Sequence, residues 1–210
     1  MGHREETTMS FPVLYPSALR DHFNKVRVVG RFTGKPVGVT VHYTADRKLD
    51  RSIKSLISQN LGYHILIDRV GMVYQLAAFD GRLWHAGKAT WNDYSPNRAH
   101  IAVAVLSYGL LTKTRDGFKN WINEPIPPQE IAIRRRNAWD AATQQQEESL
   151  VAFLRWSVDN GIDPDMVCGH SECCIPSGRK IDPGGVLEKT MDAIRDDLRD
   201  YRKAKGMAII

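Results

Sequence analysis

Cysteine is scarce in this chain, and it is confined to one segment. Cys168, Cys173 and Cys174 are odd in number, two of them are adjacent, and no C-x-x-C spacing occurs. This excludes the disulfide framework of a small secreted domain and points to synthesis in a reducing compartment. It also excludes a Cys-rich structural zinc site, which needs four ligands, commonly in C-x-x-C pairs. The three cysteines read as core or loop residues, and only a Cys and a His meeting in space would make them nucleophiles. No run of about 18 apolar residues exists, so no transmembrane helix is expected. The opening "MGHREETTMSFPVLYPS" lacks the apolar stretch of a signal peptide, and Glu6 stands where a myristoylation motif requires Ser or Thr. The expectation is a protein made in the cytoplasm with no stable membrane anchor. Internal repeats are absent, and so is any nucleic-acid-binding motif.

What is present suits one globular domain with a sizeable core: 210 residues, 42% hydrophobic and 25% charged. The net charge of +5 and pI near 9.2 favour acidic partners such as nucleic acid, anionic lipid or an anionic wall polymer. Without a motif to accompany it, that charge predicts no specific nucleic-acid partner.

Residues 1–34 have mixed polarity without period and read as an extension packed on a domain of residues 35–210. "KPVGVTVHYTA" (35–45) alternates and is β-branched, which predicts a strand. "DRKLDRSIKSLISQN" (46–60) carries Leu49, Ile53, Leu56 and Ile57 at helical spacing, with Gly62 as its stop. "YHILIDRVGMVYQL" (63–76) reads as a hairpin about Val70-Gly71, and "HIAVAVLSYG" (100–109) as a central strand. Residues 110–140 read as a long Pro-containing loop insertion with a basic cluster at Arg134, Arg135 and Arg136, suited to holding an anionic surface. "ATQQQEESLVAFLRWSVDNG" (142–161) has a Thr cap and an apolar stripe, and "VLEKTMDAIRDDLRDYRKA" (186–204) is amphipathic; both predict helices. Strands and helices interleave around a hairpin, so the fold class is α/β with a central mixed sheet flanked by helices.

"CGHSECCIPSGRKIDPGG" (168–185) concentrates the chemistry. A catalytic zinc site uses three N, S or carboxylate ligands and keeps one position open. His170 and Asp182 share this Gly- and Pro-rich segment, which can fold both inward. Among seven histidines, His42 is best placed as a third ligand, because it closes an apolar strand at the rim where sites form. Lys180 lies two residues before Asp182. In an extended stretch the two side chains share one side, where a cation can stabilise an oxyanion.

Together these pieces resemble the zinc-dependent N-acetylmuramoyl-L-alanine amidases, a family that includes amidase-type phage lysozymes, cell-wall-recycling amidases and peptidoglycan recognition proteins. "VHYTA" is similar to the family's first-ligand strand and "GYHILIDRVGMVYQL" to its hairpin. "WHAG" with "SPNRAHIAVAVLSYG" resembles its substrate wall and central strand, and "GHSECCIPSGRKIDPGG" its closing motif. The resemblance runs from about residue 36 to 200. It implies Zn²⁺ held by His42, His170 and Asp182, catalytic roles for Tyr63 and Lys180, and substrate contacts from His85 and Asn97. His85 stacked on Trp84 is the plainer alternative, and His64 is expected to face away from Tyr63. The chain departs from the pattern in a longer His170–Lys180 segment and in His100 and Ala102, where Ser and Gly are common. Ala104 stands where the recycling branch has a glutamate.

The activity implied is zinc-dependent hydrolysis of the amide between N-acetylmuramic acid and L-alanine in peptidoglycan or a muropeptide, by a monomer. Ala104 and Tyr63 favour a lytic, endolysin-like enzyme that reaches the wall from the host periplasm. A cytosolic muropeptide-recycling amidase and a non-catalytic peptidoglycan-binding module are the alternatives.

Overall fold

Alternation in "GVTVHY" buries Val39 and Val41 on one side and Thr40 and His42 on the other. The segment forms β1 (Gly38–Tyr43) in the computed structural model, which describes residues 26–207. The further strands are β2 (Ile65–Ile67), β3 (Val73–Gln75), β4 (His100–Val105), β5 (Thr112–Thr114), β6 (Gly117–Lys119), β7 (Ile131–Arg134), β8 (Asn137–Asp140) and β9 (Val167–Gly169). Five of them make one sheet in the order β3-β2-β4-β1-β9. Only β3 runs antiparallel, so the sheet is mixed, and β4, buried throughout, lies at its centre. The helices are α1 (Leu49–Ser58), α2 (Pro96–Ala99), α3 (Gln144–Asp159), α4 (His170–Cys173) and α5 (Met191–Ala204).

The period-2 alternation separates two cores. Val39, Val41, Ile65, Ile67, Ile101, Val103 and Val105 meet Leu150, Phe153 and Leu154 of α3 and Ile194 and Leu198 of α5. On the other face, Leu66 and Ala104 pack on Ile53 and Leu56 of α1. Each fully buried aliphatic or aromatic side chain here stabilises the fold by about 1.5–3 kcal/mol relative to exposure. Thr143 caps α3 in a capping box with Gln146. The buried Gln146 amide also donates to the carbonyls of Ile67 and Leu106, which fixes the helix against the sheet. His100 fits in place of a smaller residue because its neighbour is Gly38, where a Cβ would lie 2.5 Å from His100 Nε2.

Three readings of the sequence need correction. The first helix ends at Ser58, turning through Asn60 at φ 54°, before Gly62 is reached. Gly62 serves instead for close approach, since a Cβ there would meet Val26 at 2.2 Å. The last helix begins at Met191 rather than 186, because Thr190 accepts a hydrogen bond from Ala193 N and starts it there. Residues 110–140 are not a solvated loop. They form the hairpins β5–β6 and β7–β8 around a small core of Tyr108, Leu111, Ile126 and Ala138. Buried Asp140 ties them to the sheet, accepting from Tyr108 N and pairing with Arg47, which also reaches Glu130. Arg134 is accordingly a structural residue: its guanidinium donates to Gly185 O at 2.8 Å and Val186 O at 3.0 Å. Arg135 and Arg136 are exposed at the hairpin tip.

Of the expected extension, residues 1–25 lie outside the described residues. Residues 26–34 run beside 80–82, with Val29 N donating to Arg82 O and Phe32 N to Asp80 O, each at 2.9 Å. No helix among the described residues is long and apolar enough to cross a membrane.

Candidate metal centre and cleft

Register brings the site together. β1 and β9 are parallel neighbours with Val41 paired to Gly169, so His42 and His170 emerge side by side at the carboxyl ends of their strands. Their ring centroids are 4.7 Å apart. Asp182 returns along the loop after α4, its carbonyl accepting from Ser171 N at 2.7 Å, and its carboxylate reaches both rings. Asp182 Oδ2 lies 2.8 Å from His42 Nδ1 and 3.1 Å from His170 Nδ1. Among the described residues, these three form a group whose ligand atoms lie within 4.8 Å of one another. The turn that carries His170 is braced from α5, where Arg195 forms hydrogen bonds with both oxygens of Glu172 and with Val167 O.

The protonation of these rings follows from their outer partners. His170 Nε2 faces the Ala86 carbonyl at 2.9 Å, and a carbonyl only accepts, so Nε2 carries a proton and Nδ1 is the nitrogen turned to Asp182. His85 Nε2 likewise donates to Pro96 O at 3.1 Å, which leaves His85 Nδ1 as an acceptor. His42 Nε2, 3.1 Å from that atom, must then be the donor, so Nδ1 is again the nitrogen turned to Asp182. Burial lowers the proton affinity of both His42 and His85 below the ordinary value, in His42 against the pull of Asp182, and this favours the neutral rings. For Asp182, burial pushes the carboxyl up, but contacts with His170 and His42 outweigh it and hold the group well below the usual carboxylate range. Nδ1 of His42, Nδ1 of His170 and a carboxylate oxygen thus converge, and a cation at their centre would hold them together in place of shared protons. The N, N, O donor set fits zinc with a position left open.

A cleft of about 380 Å³ opens over this centre. His170 and Asp182 line it, whereas His42 is fully buried behind them. Lys180 and Asp182 share this cleft, and Lys180 is exposed there. Tyr63 lines it as well, its ring 4.8 Å from that of His42. Burial and the nearby Asp182 raise the Tyr63 phenol far above its ordinary value, so it remains a hydrogen-bond donor. His64 turns away from it, donating to Gly81 O and accepting from Ala102 N between Phe32 and Phe79.

Of the two expected substrate contacts, one lines the cleft and the other lies behind its wall. His85 reaches the cleft wall but is buried and bonded to His42, while Trp84 beside it is exposed. Asn97 lies behind the wall, its amide engaged by the backbone of residues 85–87. The cysteines are buried outside the ligand set, with Cys173 Sγ donating to His170 O and Cys174 Sγ to Ser171 O. Sequence reasoning missed the polar wall formed by Ser52 and Ser55 of α1 and Gln59 at its C-cap, although their i, i+3, i+7 spacing was a readable signal. It also missed Arg195, whose pairing with Glu172 depends on tertiary contact alone.

The family model described as N-acetylmuramoyl-L-alanine amidase matches residues 32–185. No curated protein matches the sequence. Among solved structures, the chain is similar to E. coli AmiD in complex with anhydro-N-acetylmuramic acid-L-Ala-D-gamma-Glu-L-Lys, with TM-score 0.58 and 18% identity over 87% of this chain and 62% of that one. It is similar also to Pseudomonas aeruginosa AmpDh3 in complex with anhydromuramic pentapeptide, with TM-score 0.56 and 20% identity over 95% and 76% of the two chains. The chain therefore spans less than two thirds of the length of AmiD.

Proposed function

Because the chain belongs to the N-acetylmuramoyl-L-alanine amidase family, we propose that it is a zinc-dependent hydrolase of the amide between N-acetylmuramic acid and L-alanine in peptidoglycan. The observation that carries this reading is the convergence of His42 Nδ1, His170 Nδ1 and Asp182 Oδ2 beneath an open cleft. His42, His170 and Asp182 would hold the zinc, which would lower the pKa of a bound water from about 15.7 toward ~7 and polarise the scissile carbonyl. Lys180 donates to the oxygen that becomes negative as the carbonyl turns tetrahedral. Tyr63, fixed as a phenol, donates a second hydrogen bond to that oxygen or orients the attacking water. Ala104 is paired in register with His42 and is fully buried, so no carboxylate reaches the water from that strand. Orientation of the water then rests on Tyr63.

The enzyme acts as a monomer, in the manner of an endolysin, and its basic charge suits an anionic wall. A second reading, a recycling amidase for soluble muropeptides, draws on the anhydromuramyl peptides bound in the AmiD and AmpDh3 structures. Mass spectrometry of digests distinguishes the two. Release of stem peptides from intact sacculi supports the lytic reading, and turnover confined to soluble muropeptides supports recycling. A folded protein that binds sacculi, holds no zinc and cleaves neither substrate would be a binding module.

A further inference from the structure

Asn97 is held away from the cleft by three hydrogen bonds, and every one of them goes to the segment 85–87. Its Oδ1 accepts from His85 N and from Ala86 N, each at 2.9 Å, and its Nδ2 donates to Gly87 O at 2.7 Å. The amide is buried, with 5% of the residue exposed. That segment is the outer partner of both ligand histidines. The side chain of His85 receives His42 Nε2–H, and the carbonyl of Ala86 receives His170 Nε2–H. The two contacts come from consecutive residues at a bend that turns through Gly87 at φ 60°, so a single rotation of that piece would misplace both. Pro96, next to Asn97 at the start of α2, closes the arrangement by accepting from His85 Nε2. Arg179 adds a second donor to Ala86 O and one to Lys88 O, from the loop that carries Lys180.

We infer that Asn97 is a positioning residue for the metal centre: one buried amide fixes residues 85–87, and through them the orientation of both His42 and His170. This rests on the metal-site reading above. A side chain that merely supported the fold would affect stability without altering metal affinity. A positioning residue alters metal affinity as well, because outer partners of metal-bound histidines typically contribute 10–100-fold to affinity.

The test measures zinc dissociation constants by competition with a chromogenic chelator, together with the visible spectrum of the cobalt-substituted protein. Asn97→Ala is expected to weaken zinc by about 10–100-fold and to shift the cobalt band. Thr143→Ala, which removes the cap of α3 far from the site, lowers the melting temperature and leaves both metal readouts unchanged. Should Asn97→Ala fail to fold, His85→Ala decides the matter, since it removes the acceptor for His42 and the donor to Pro96 O, keeps the Asn97 bonds to the backbone of residues 85–87, and is expected to weaken zinc within the same range. Wild-type zinc affinity and an unchanged cobalt spectrum in a folded Asn97→Ala, or in His85→Ala when the first does not fold, would overturn the inference. A wild-type chain that binds no zinc would refute the metal-site reading itself, which separates the two failures.

Discussion

Arg134, Arg135 and Arg136 look equivalent in sequence, and the structure predicts that they respond to mutation with opposite signs. Arg134 Nη1 donates two charge-assisted hydrogen bonds, to Gly185 O and Val186 O, three and four residues beyond Asp182. Hydrogen bonds to charged groups contribute about 1.5–3 kcal/mol each. Arg134 is only half-buried, and Val186 O keeps a second donor in Ala142 N, so the low end applies. Arg134→Ala should therefore cost about 2–3 kcal/mol, roughly 4–12 °C in Tm for a domain of this size. Arg135 and Arg136 form the tip of the β7–β8 hairpin at φ 52° and 65°. Both central residues at positive φ mark a type I′ turn, which prefers Asn-Gly. The double replacement Arg135→Asn, Arg136→Gly should then be neutral or stabilise by up to about 1 kcal/mol, because it relieves backbone strain. Urea unfolding at constant slope is the assay. Equal losses from single alanines at all three positions, or an Arg134→Ala within about 0.5 kcal/mol of wild type, would refute the reasoning.

Other expectations concern the site and its surroundings. Tyr63→Phe should lower kcat by about 10²–10³-fold, the usual cost of one oxyanion donor, with zinc content unchanged; wild-type turnover would leave Tyr63 a packing residue. Asp182→Ala should lose zinc, whereas Cys173→Ser and Cys174→Ser should keep it, as metal analysis of the purified variants would show. Exhaustive chelation should abolish hydrolysis and added zinc restore it, so full activity in a protein shown to be metal-free would exclude the mechanism. In the metal-free protein, burial lowers His64 and His100 from 6.5 to about 4. The unfolded chain then takes up these protons first, so stability is complete above about pH 6.5 and falls as pH approaches 4, by about 2–3 kcal/mol per histidine at pH 4.5. His64→Gln should flatten that fall in urea midpoints measured between pH 7.5 and 4.5.

The elements were legible wherever local pattern and tertiary environment agree. Alternation in "GVTVHY" and the unbroken apolar run at residues 101–105 identify strands because the pleat sorts side chains by parity. Thr143 and the stripe Leu150, Phe153, Leu154 and Val158 identify α3 because capping and period are local properties. The chemical types of His42, His170, Lys180 and Asp182 were readable for the same reason. The hairpins of residues 110–140 were not, since β5 and β6 have three residues each and owe their order to Asp140, Arg47 and a small core assembled from distant segments. Nor could the sequence decide what Arg134, His85 and Asn97 do. Their polar groups find partners 51, 43 and 10–12 residues away, and a hydrogen bond is directional at a range of about 3 Å. Composition and periodicity specify which residues are buried and on which face. Which nitrogen of a buried histidine turns to Asp182 is specified only when the register of β1 against β9 and the path of residues 85–87 bring a partner to the other nitrogen.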